Sequence, residues 1–207
     1  MTGGLLVAFA EAHGLLPDGL IAVDLGAYSA ILTTENGAAT LPEVSARLLK
    51  LQESTRIVPL RPAPAPANLA DHMLRVEGGL TKSFEVLGHC VEFVVQVHVP
   101  KPDAPGAPTK PSDYLRRTHQ IQQDFAATCA AVRASLGAAT QTLETKASLI
   151  KSGERNLNDL VAIHYLMNRD HAQTVIAEWH AGRASVTGAQ ATLSGPWAPY
   201  SFVTLEG

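Results

Sequence analysis

The chain has 207 residues, of which 46% are apolar and 17% charged, and its formal net charge at pH 7 is −3. This length suits one large domain or two small ones. Because no basic stripe is present to neutralise phosphates, the charge gives no argument for binding of nucleic acid or of an anionic membrane. No run of about 18 apolar residues predicts a transmembrane helix.

The cellular compartment is predicted from the N-terminus and the cysteines. The apolar run Leu5–Ala10 lacks the basic flank of a signal peptide and is followed directly by Glu11. Cys90 and Cys129 show neither metal-ligand spacing nor a disulfide framework, so we interpret them as reduced thiols. These features favour a cytoplasmic protein.

The first part of the chain predicts short strands. Apolar runs indicate strands at Leu5–Ala10, Leu20–Leu25 and Tyr28–Thr33. The turn residues Asp24–Ala27 predict a tight hairpin between the last two strands. The dipeptide Asn36-Gly37 then predicts a turn.

A helix and a short strand are predicted next. The segment Thr40-Leu41-Pro42-Glu43 has the pattern of a capping box, in which Glu43 reaches back to the backbone of Thr40. Apolar residues then recur at helical spacing, at Leu41, Val44, Leu48 and Leu51. Ile57–Leu60 predicts a short strand that is closed by prolines.

Glycines and prolines divide the following segment. The Ala/Pro alternation at residues 61–67 predicts a connection into a helix over Asn68–Glu77. We expect Gly78-Gly79 to end that helix, and Thr81–Leu87 to form a separate helical segment.

Val91–Val99 gives the clearest strand pattern in the chain. Alternate residues form an apolar face and a more polar face, which predicts a half-buried strand. Glu85 and Glu92 are isolated carboxylates that we expect to be solvated. The segment Pro100–Pro111 has five prolines and one glycine in twelve residues, which predicts a semi-rigid linker and a domain boundary.

The second half predicts long helices and two strands. Ser112 or Asp113 can cap a helix whose apolar spacing continues across Gly137, either as one long helix or as two helices broken at that glycine. The residues that keep this spacing are Ile121, Phe125, Cys129, Val132, Leu136, Leu143, Ala147 and Ile150. Strands are predicted at Leu160–Met167 and Ala189–Leu193, with a helix between them that is capped by Asp170 and ended by Gly182.

No arrangement of residues predicts catalysis. The eight histidines include no HExxH pair, and a lone histidine such as His164 on a strand is usually structural. His89 and Cys90 are adjacent on a predicted strand, so their side chains point to opposite faces and cannot share a proton. We therefore predict no enzyme, no catalytic, cofactor-binding or metal-binding residue, and no cofactor.

The C-terminal segment is unusually aromatic. Trp197, Tyr200 and Phe202 lie within the last eleven residues, whereas most chains end in polar residues. Either these side chains fold back and close an interface between the two domains, or they stay exposed and anchor a partner. We favour the first alternative, because an exposed apolar cluster promotes aggregation of a free monomer.

Four segments, in this order, resemble the gas vesicle protein F/L family. The segment Gly195–Val203 resembles the family's C-terminal signature, which is close to GPWPPYSF, with Ala198 as the single departure. Ile57–Arg61 resembles its VLPxRFG segment, although Pro62 and the two residues after it replace the expected phenylalanine, glycine and threonine. The strand at Val91–Val97 resembles VEWxVKV, and the residues Asp113-Tyr114-Leu115 resemble the segment that opens the family's long helices.

The resemblance implies a fold, a domain organisation and a set of motif residues. It implies an α+β protein with a modified ferredoxin-like α/β domain at residues 1–100, the linker at 101–111, and a mainly helical domain with a small β element at 112–207. It marks nine residues as contacts to a partner or to the other domain: Arg61, Tyr114, Leu115, Gly195, Pro196, Trp197, Pro199, Tyr200 and Phe202.

The resemblance also implies a function. The expected role is that of a gas vesicle accessory protein that binds the hydrophobic major shell protein, and other gas vesicle accessory proteins, during nucleation or as a minor component of the vesicle. Two alternatives stay open, namely a general interaction adaptor and an enzyme whose site one sequence does not reveal. To keep a self-associating shell protein soluble, a partner needs an apolar patch or a free strand edge. We expect the Val91–Val99 strand or the short N-terminal strands to supply the edge, or the aromatic segment to supply the patch.

Overall fold

The computed structural model describes residues 4–11, 15–34, 40–100, 111–155, 160–182 and 189–205. The strands are β1 Leu5–Ala10, β2 Leu20–Asp24, β3 Ser29–Thr33, β4 Ile57–Pro64, β5 Cys90–His98, β6 Ala147–Arg155, β7 Leu160–Asn168 and β8 Gln190–Trp197. The helices are α1 Leu41–Leu51, α2 Leu69–Leu87, α3 Pro111–Lys146 and α4 Ala172–Gly182, with short 3-10 helices at Arg169–His171 and Tyr200–Phe202.

The first sheet has the strand order β2-β3-β1-β4, and all its pairings are antiparallel. Its central strand β1 is covered on both faces. Val7 packs in a core cluster with α1, whereas Leu6 and Phe9 pack in a second cluster with α2. Burial on both faces explains why β1 is a continuous apolar run rather than an alternating one.

The predicted capping box and amphipathic helix are both present in α1. The Glu43 carboxylate accepts hydrogen bonds from the backbone N–H of Thr40 at 2.7 Å and from the Thr40 hydroxyl at 2.9 Å. These two hydrogen bonds lower the pKa of Glu43, as expected for a carboxylate at a helix N-terminus. Val44, Leu48 and Leu51 are buried, and only Leu41 of the predicted stripe is exposed.

The prediction for residues 61–87 is wrong in two respects. The strand β4 continues through the prolines to Pro64, which is allowed because β4 is an edge strand and needs no N–H groups on its outer side. The helix α2 also runs without interruption through Gly78-Gly79, so that the two predicted helices are one. Its first turn is capped by Asn68, whose side chain accepts a hydrogen bond from Asp71 N at 3.2 Å.

The second sheet is antiparallel and has the order β6-β7-β5-β8. The strand β5 is therefore internal, which rules out the expectation that it offers a free edge. Glu92 on β5 is 3% exposed, so the expectation that it is solvated is also wrong.

The long helix α3 is continuous across Gly137, as one of the two alternatives predicted. It ends at Lys146, however, and the predicted helical residues Ala147 and Ile150 lie on β6 instead. Asp170 does not cap α4. It lies in a 3-10 helix, where its N–H donates to the Asn168 side chain at 2.9 Å.

Contacts divide the chain into two compact units. Unit 1 comprises Met1–Phe93, Leu166–Asp170 and Gly195–Gly207, and unit 2 comprises Val94–Tyr165 and His171–Ser194. The α+β class is confirmed. The domain bounds at 1–100 and 112–207 stay a prediction, and both the linker residues 101–110 and the turn Asn36-Gly37 lie outside the described residues.

Candidate functional site

The C-terminal segment, residues 195–205, packs within unit 1, and we call it the tail. It begins at the end of β8, where Gly195 has a φ of +126°. A Cβ at Gly195 would lie 2.8 Å from the carbonyl oxygen of Glu92 and 2.9 Å from the Phe93 ring. Only glycine fits this backbone conformation and this close approach to β5.

Hydrogen bonds hold the tail at two buried polar side chains. The N–H of Ala198, which is fully buried, donates to Ser45 Oγ on α1 at 2.9 Å. Ser201 donates twice to the Glu92 carboxylate, from its N–H at 3.0 Å and from its hydroxyl at 2.7 Å. These bonds compensate the cost of burying Ser45 and Glu92.

The aromatic and apolar side chains of the tail extend two cores of unit 1. Tyr200 packs against the core cluster of α1 and the first sheet. Phe202 is 6% exposed and forms a small cluster with Leu87 and Leu166. Pro199 is buried as well, while Pro196 and Trp197 are partly buried.

Burial of Tyr200 also has an electrostatic consequence. Desolvation raises the pKa of its phenol above the ordinary value of 10, the Ser45 hydroxyl opposes that change, and the Glu92 carboxylate adds to it. Tyr200 therefore stays un-ionised to a higher pH than a solvated tyrosine does.

The end of the tail fits against small residues of α2. A Cβ at Gly79 would lie 2.8 Å from the carbonyl carbon of Leu205, and the Ser83 hydroxyl donates to the Thr204 carbonyl at 3.2 Å. Gly79 therefore does not end the helix. Its lack of a side chain leaves room for the tail backbone, which explains why a glycine occupies this position in the middle of α2.

The predicted motif residues fall into two groups. The structure brings the six tail residues Gly195, Pro196, Trp197, Pro199, Tyr200 and Phe202 together in unit 1. Arg61 lies on β4 with an exposed side chain, while Tyr114 and Leu115 lie at the start of α3 in unit 2, 43% and 69% exposed. Sequence reasoning missed the residues that receive the tail, which are Ser45, Gly79, Ser83 and Glu92. Only Glu92 carried a signal, through its place in the strand that resembles the family.

A polar surface cleft of about 480 Å³ lies in the same unit. Arg169 lines it and is already engaged, since it donates to the Leu49 carbonyl at 2.8 Å and to the Glu53 carboxylate at 2.9 Å. The lining residues are Gln52, Glu53, His89, Asn168, Arg169 and Asp170. They include positively and negatively charged side chains, and none of them is an activated nucleophile.

The described residues contain neither a metal-binding cluster nor a membrane-spanning helix. Among them, no three His, Cys, Asp or Glu side chains lie close enough together to hold a metal ion. None of the helices in the described ranges is both long and apolar enough to span a bilayer.

The fold is that of known gas vesicle proteins. The chain superimposes on the crystal structure of gas vesicle protein GvpF from Microcystis aeruginosa with a TM-score of 0.73 and 13% identity, covering 99% of this chain and 100% of that one. It superimposes on GvpF from Anabaena sp. PCC7120 with a TM-score of 0.69 and 11% identity, covering 98% and 96%. At such identities, these matches show the fold alone. No curated protein has a sequence that matches the chain.

Residues 62–204 match the family model described as gas vesicle synthesis protein GvpL/GvpF. This range includes α2, the long helix α3 and the tail up to Thr204. The chain therefore belongs to the GvpL/GvpF family, and the predicted resemblance is confirmed. The family links the protein to gas vesicles.

Proposed function

We propose that the protein is a non-enzymatic accessory protein that binds the hydrophobic major shell protein while gas vesicles nucleate, or as a minor vesicle component, together with other gas vesicle accessory proteins. The observation that carries the proposal is the family match over residues 62–204.

The proposal favours a strand edge over the tail as the docking surface. Ala198 and Phe202 of the tail are buried in unit 1 and are not accessible to a shell protein. The strands β1 and β5 are internal to their sheets. Of the short N-terminal strands, β2 is the one at an edge, and an extended segment of the shell protein can add to it as a further strand.

The hydrogen-bond pattern identifies the outward groups of β2. Leu25 N donates to the Tyr28 carbonyl and Thr34 N to the Gly19 carbonyl, both at 3.0 Å, which fixes the bonded pairs of the β2–β3 hairpin. By antiparallel alternation, the N–H and C=O of Ala22 point away from β3. The neighbouring Ile21 is 38% exposed and adds apolar surface.

Binding assays with matched variants test the proposal. The purified chain should retain the solubilised major shell protein on an affinity resin, and a chain that retains none would overturn the proposed function. Ala22→Pro removes an outward N–H without breaking a hairpin hydrogen bond, whereas Ala22→Val keeps that N–H. We expect Ala22→Pro to reduce retention strongly and Ala22→Val to preserve it, with similar melting temperatures. Equal retention by both variants would leave the function standing and exclude β2 as the docking edge.

A further inference from the structure

Hydrogen bonds between three segments of the chain fix the polar cleft of unit 1. Gln52, which follows α1, donates from Nε2 to the carbonyl oxygens of Gly88 at 3.2 Å and of Cys90 at 2.9 Å. Arg169, which follows β7, donates from its backbone N–H to the His89 carbonyl at 3.1 Å, and its guanidinium binds the end of α1. The end of α1, the α2–β5 turn and the end of β7 are therefore cross-linked, as in a preformed binding site.

One buried acceptor that belongs to the cleft has no donor. Gln52 lines the cleft and is 4% exposed. The orientation of its amide is fixed, because a flipped amide would place Oε1 against the carbonyl oxygens of Gly88 and Cys90. Oε1 is buried and accepts no hydrogen bond from any described residue. Since a buried acceptor without a donor destabilises the folded chain, a donor that enters the cleft can stabilise this atom.

The charges around the cleft favour a positively charged group. Its ionised side chains are two carboxylates, Glu53 and Asp170, and the guanidinium of Arg169. Arg169 pairs with Glu53 at 2.9 Å, and no described residue pairs with the Asp170 carboxylate. The cleft also lies at the C-terminus of α1, which carries the negative end of the helix dipole. A cation therefore balances these charges, whereas an anion would add to the excess negative charge.

We propose that the cleft binds the guanidinium group of an arginine side chain on a protein partner. A planar guanidinium offers five N–H donors and is more weakly hydrated than an ammonium group, which suits a site with a buried amide oxygen and a carboxylate. The cleft volume of about 480 Å³ exceeds that of one guanidinium group, so it also has room for the residues beside the arginine. None of the lining residues belongs to β2, so this site and the proposed shell-protein edge are tested independently.

Capped tripeptides test the proposal on the full chain by NMR titration. The probe has a central arginine between two alanines, and its matched control has citrulline, which keeps the shape of the arginine side chain and lacks the charge. We expect the arginine peptide to bind with a millimolar dissociation constant and to shift the amide signals of Glu53, His89 and Asp170. The citrulline peptide should bind about tenfold more weakly, because it forms no charge-assisted hydrogen bonds.

Variants of the chain assign the binding to the cleft. Asp170→Asn should weaken binding of the arginine peptide about fivefold, with a melting temperature within a few degrees of the wild type, since no described residue pairs with this carboxylate. Asp170→Lys supplies a positive charge to the cleft and should abolish binding. Glu77→Gln is the control, because Glu77 is an exposed carboxylate on α2 that does not line the cleft, and it should bind like the wild type.

Four outcomes would overturn the proposal. Equal binding of the arginine and citrulline peptides would remove the role of charge. Signal shifts confined to residues outside the cleft would place the peptide elsewhere. Equal affinities of the Asp170→Asn and Glu77→Gln variants would exclude the Asp170 carboxylate as a contact. Guanidinium ion that binds as tightly as the arginine peptide would make the cleft a site for a small free cation rather than for a protein side chain.

Discussion

The tail and the start of α3 contain similar side chains in opposite environments. Both carry residues of the family motifs, and both combine aromatic with aliphatic groups. In the tail, Phe202 is 6% exposed, whereas at the start of α3 Tyr114 is 43% exposed and Leu115 69%. The difference lies in what surrounds them: unit 1 offers the tail buried acceptors at Ser45 and Glu92 as well as an apolar core. Aromatic content alone therefore does not separate a buried packing segment from an exposed one.

The largest loss of stability is expected for a substitution at Phe202. Phe202→Ala removes a buried ring from the cluster with Leu87 and Leu166, which should cost about 3–5 kcal/mol of stability. In a chain of this size, that corresponds to a fall in melting temperature of roughly 10 °C. Differential scanning calorimetry measures it.

The matched substitution at the start of α3 is Leu115→Ala. Because Leu115 is largely exposed, this change should alter stability by no more than about 0.5 kcal/mol. Equal shifts in melting temperature for the two variants would mean that the tail is not a packed element of unit 1.

A somewhat smaller effect is expected at Glu92. Glu92→Gln weakens two hydrogen bonds from Ser201 to a buried carboxylate and should cost about 1–3 kcal/mol in urea unfolding. Glu85→Gln is the control, since Glu85 is an exposed carboxylate on α2. If both variants unfold at the wild-type midpoint, the Ser201–Glu92 contact does not hold the tail.

Alanine substitutions at the two adjacent glycines of α2 should change the stability in opposite directions. Gly79→Ala places a methyl group 2.8 Å from the Leu205 backbone, so the tail must shift, at a cost of about 1–2 kcal/mol. Gly78→Ala meets no atom within 4 Å and should stabilise the helix by about 0.5–1 kcal/mol. Thermal unfolding of the two variants measures both, and stabilisation by Gly79→Ala would exclude close docking of the tail.

This pair also shows how far the sequence predicts the fold. Local signals sufficed where local physics decides, as for the capping box at Thr40 and the buried stripe of α1. They failed at Gly78-Gly79, because the reason for Gly79 is the backbone of Leu205, which is remote in sequence. They failed again at β4, where prolines are tolerated because that strand lies at a sheet edge.

The sequence predicted the tail residues of the candidate site but not the residues that receive the tail. The aromatic segment signalled that the end of the chain packs against something, and its motif residues lie together in unit 1. The residues that receive it gave almost no signal, since Ser45 looks like an ordinary helix residue and Glu92 like a solvated strand residue. Their role depends on tertiary contacts, which composition and periodicity do not contain.

The last expected effect is a pH dependence of stability at high pH. Burial raises the pKa of Tyr165 to about 12, with the Thr140 hydroxyl opposing and Glu144 adding, and it raises the pKa of Tyr200 as well. An unfolded tyrosine ionises near pH 10. Above pH 10 the unfolded chain therefore binds fewer protons than the folded chain, so stability falls as pH rises.

Each of the two tyrosines should contribute a slope of at most about 1.4 kcal/mol per pH unit above pH 10, reduced by solvent screening of the phenol. Urea unfolding across that range measures the slope, and the phenylalanine variants assign it. Tyr200→Phe should remove the contribution of the tail, and Tyr165→Phe the separate contribution of unit 2. A slope that Tyr200→Phe leaves unchanged would mean that the phenol ionises as easily in the folded chain as in water, which is incompatible with a tail packed against the core of unit 1.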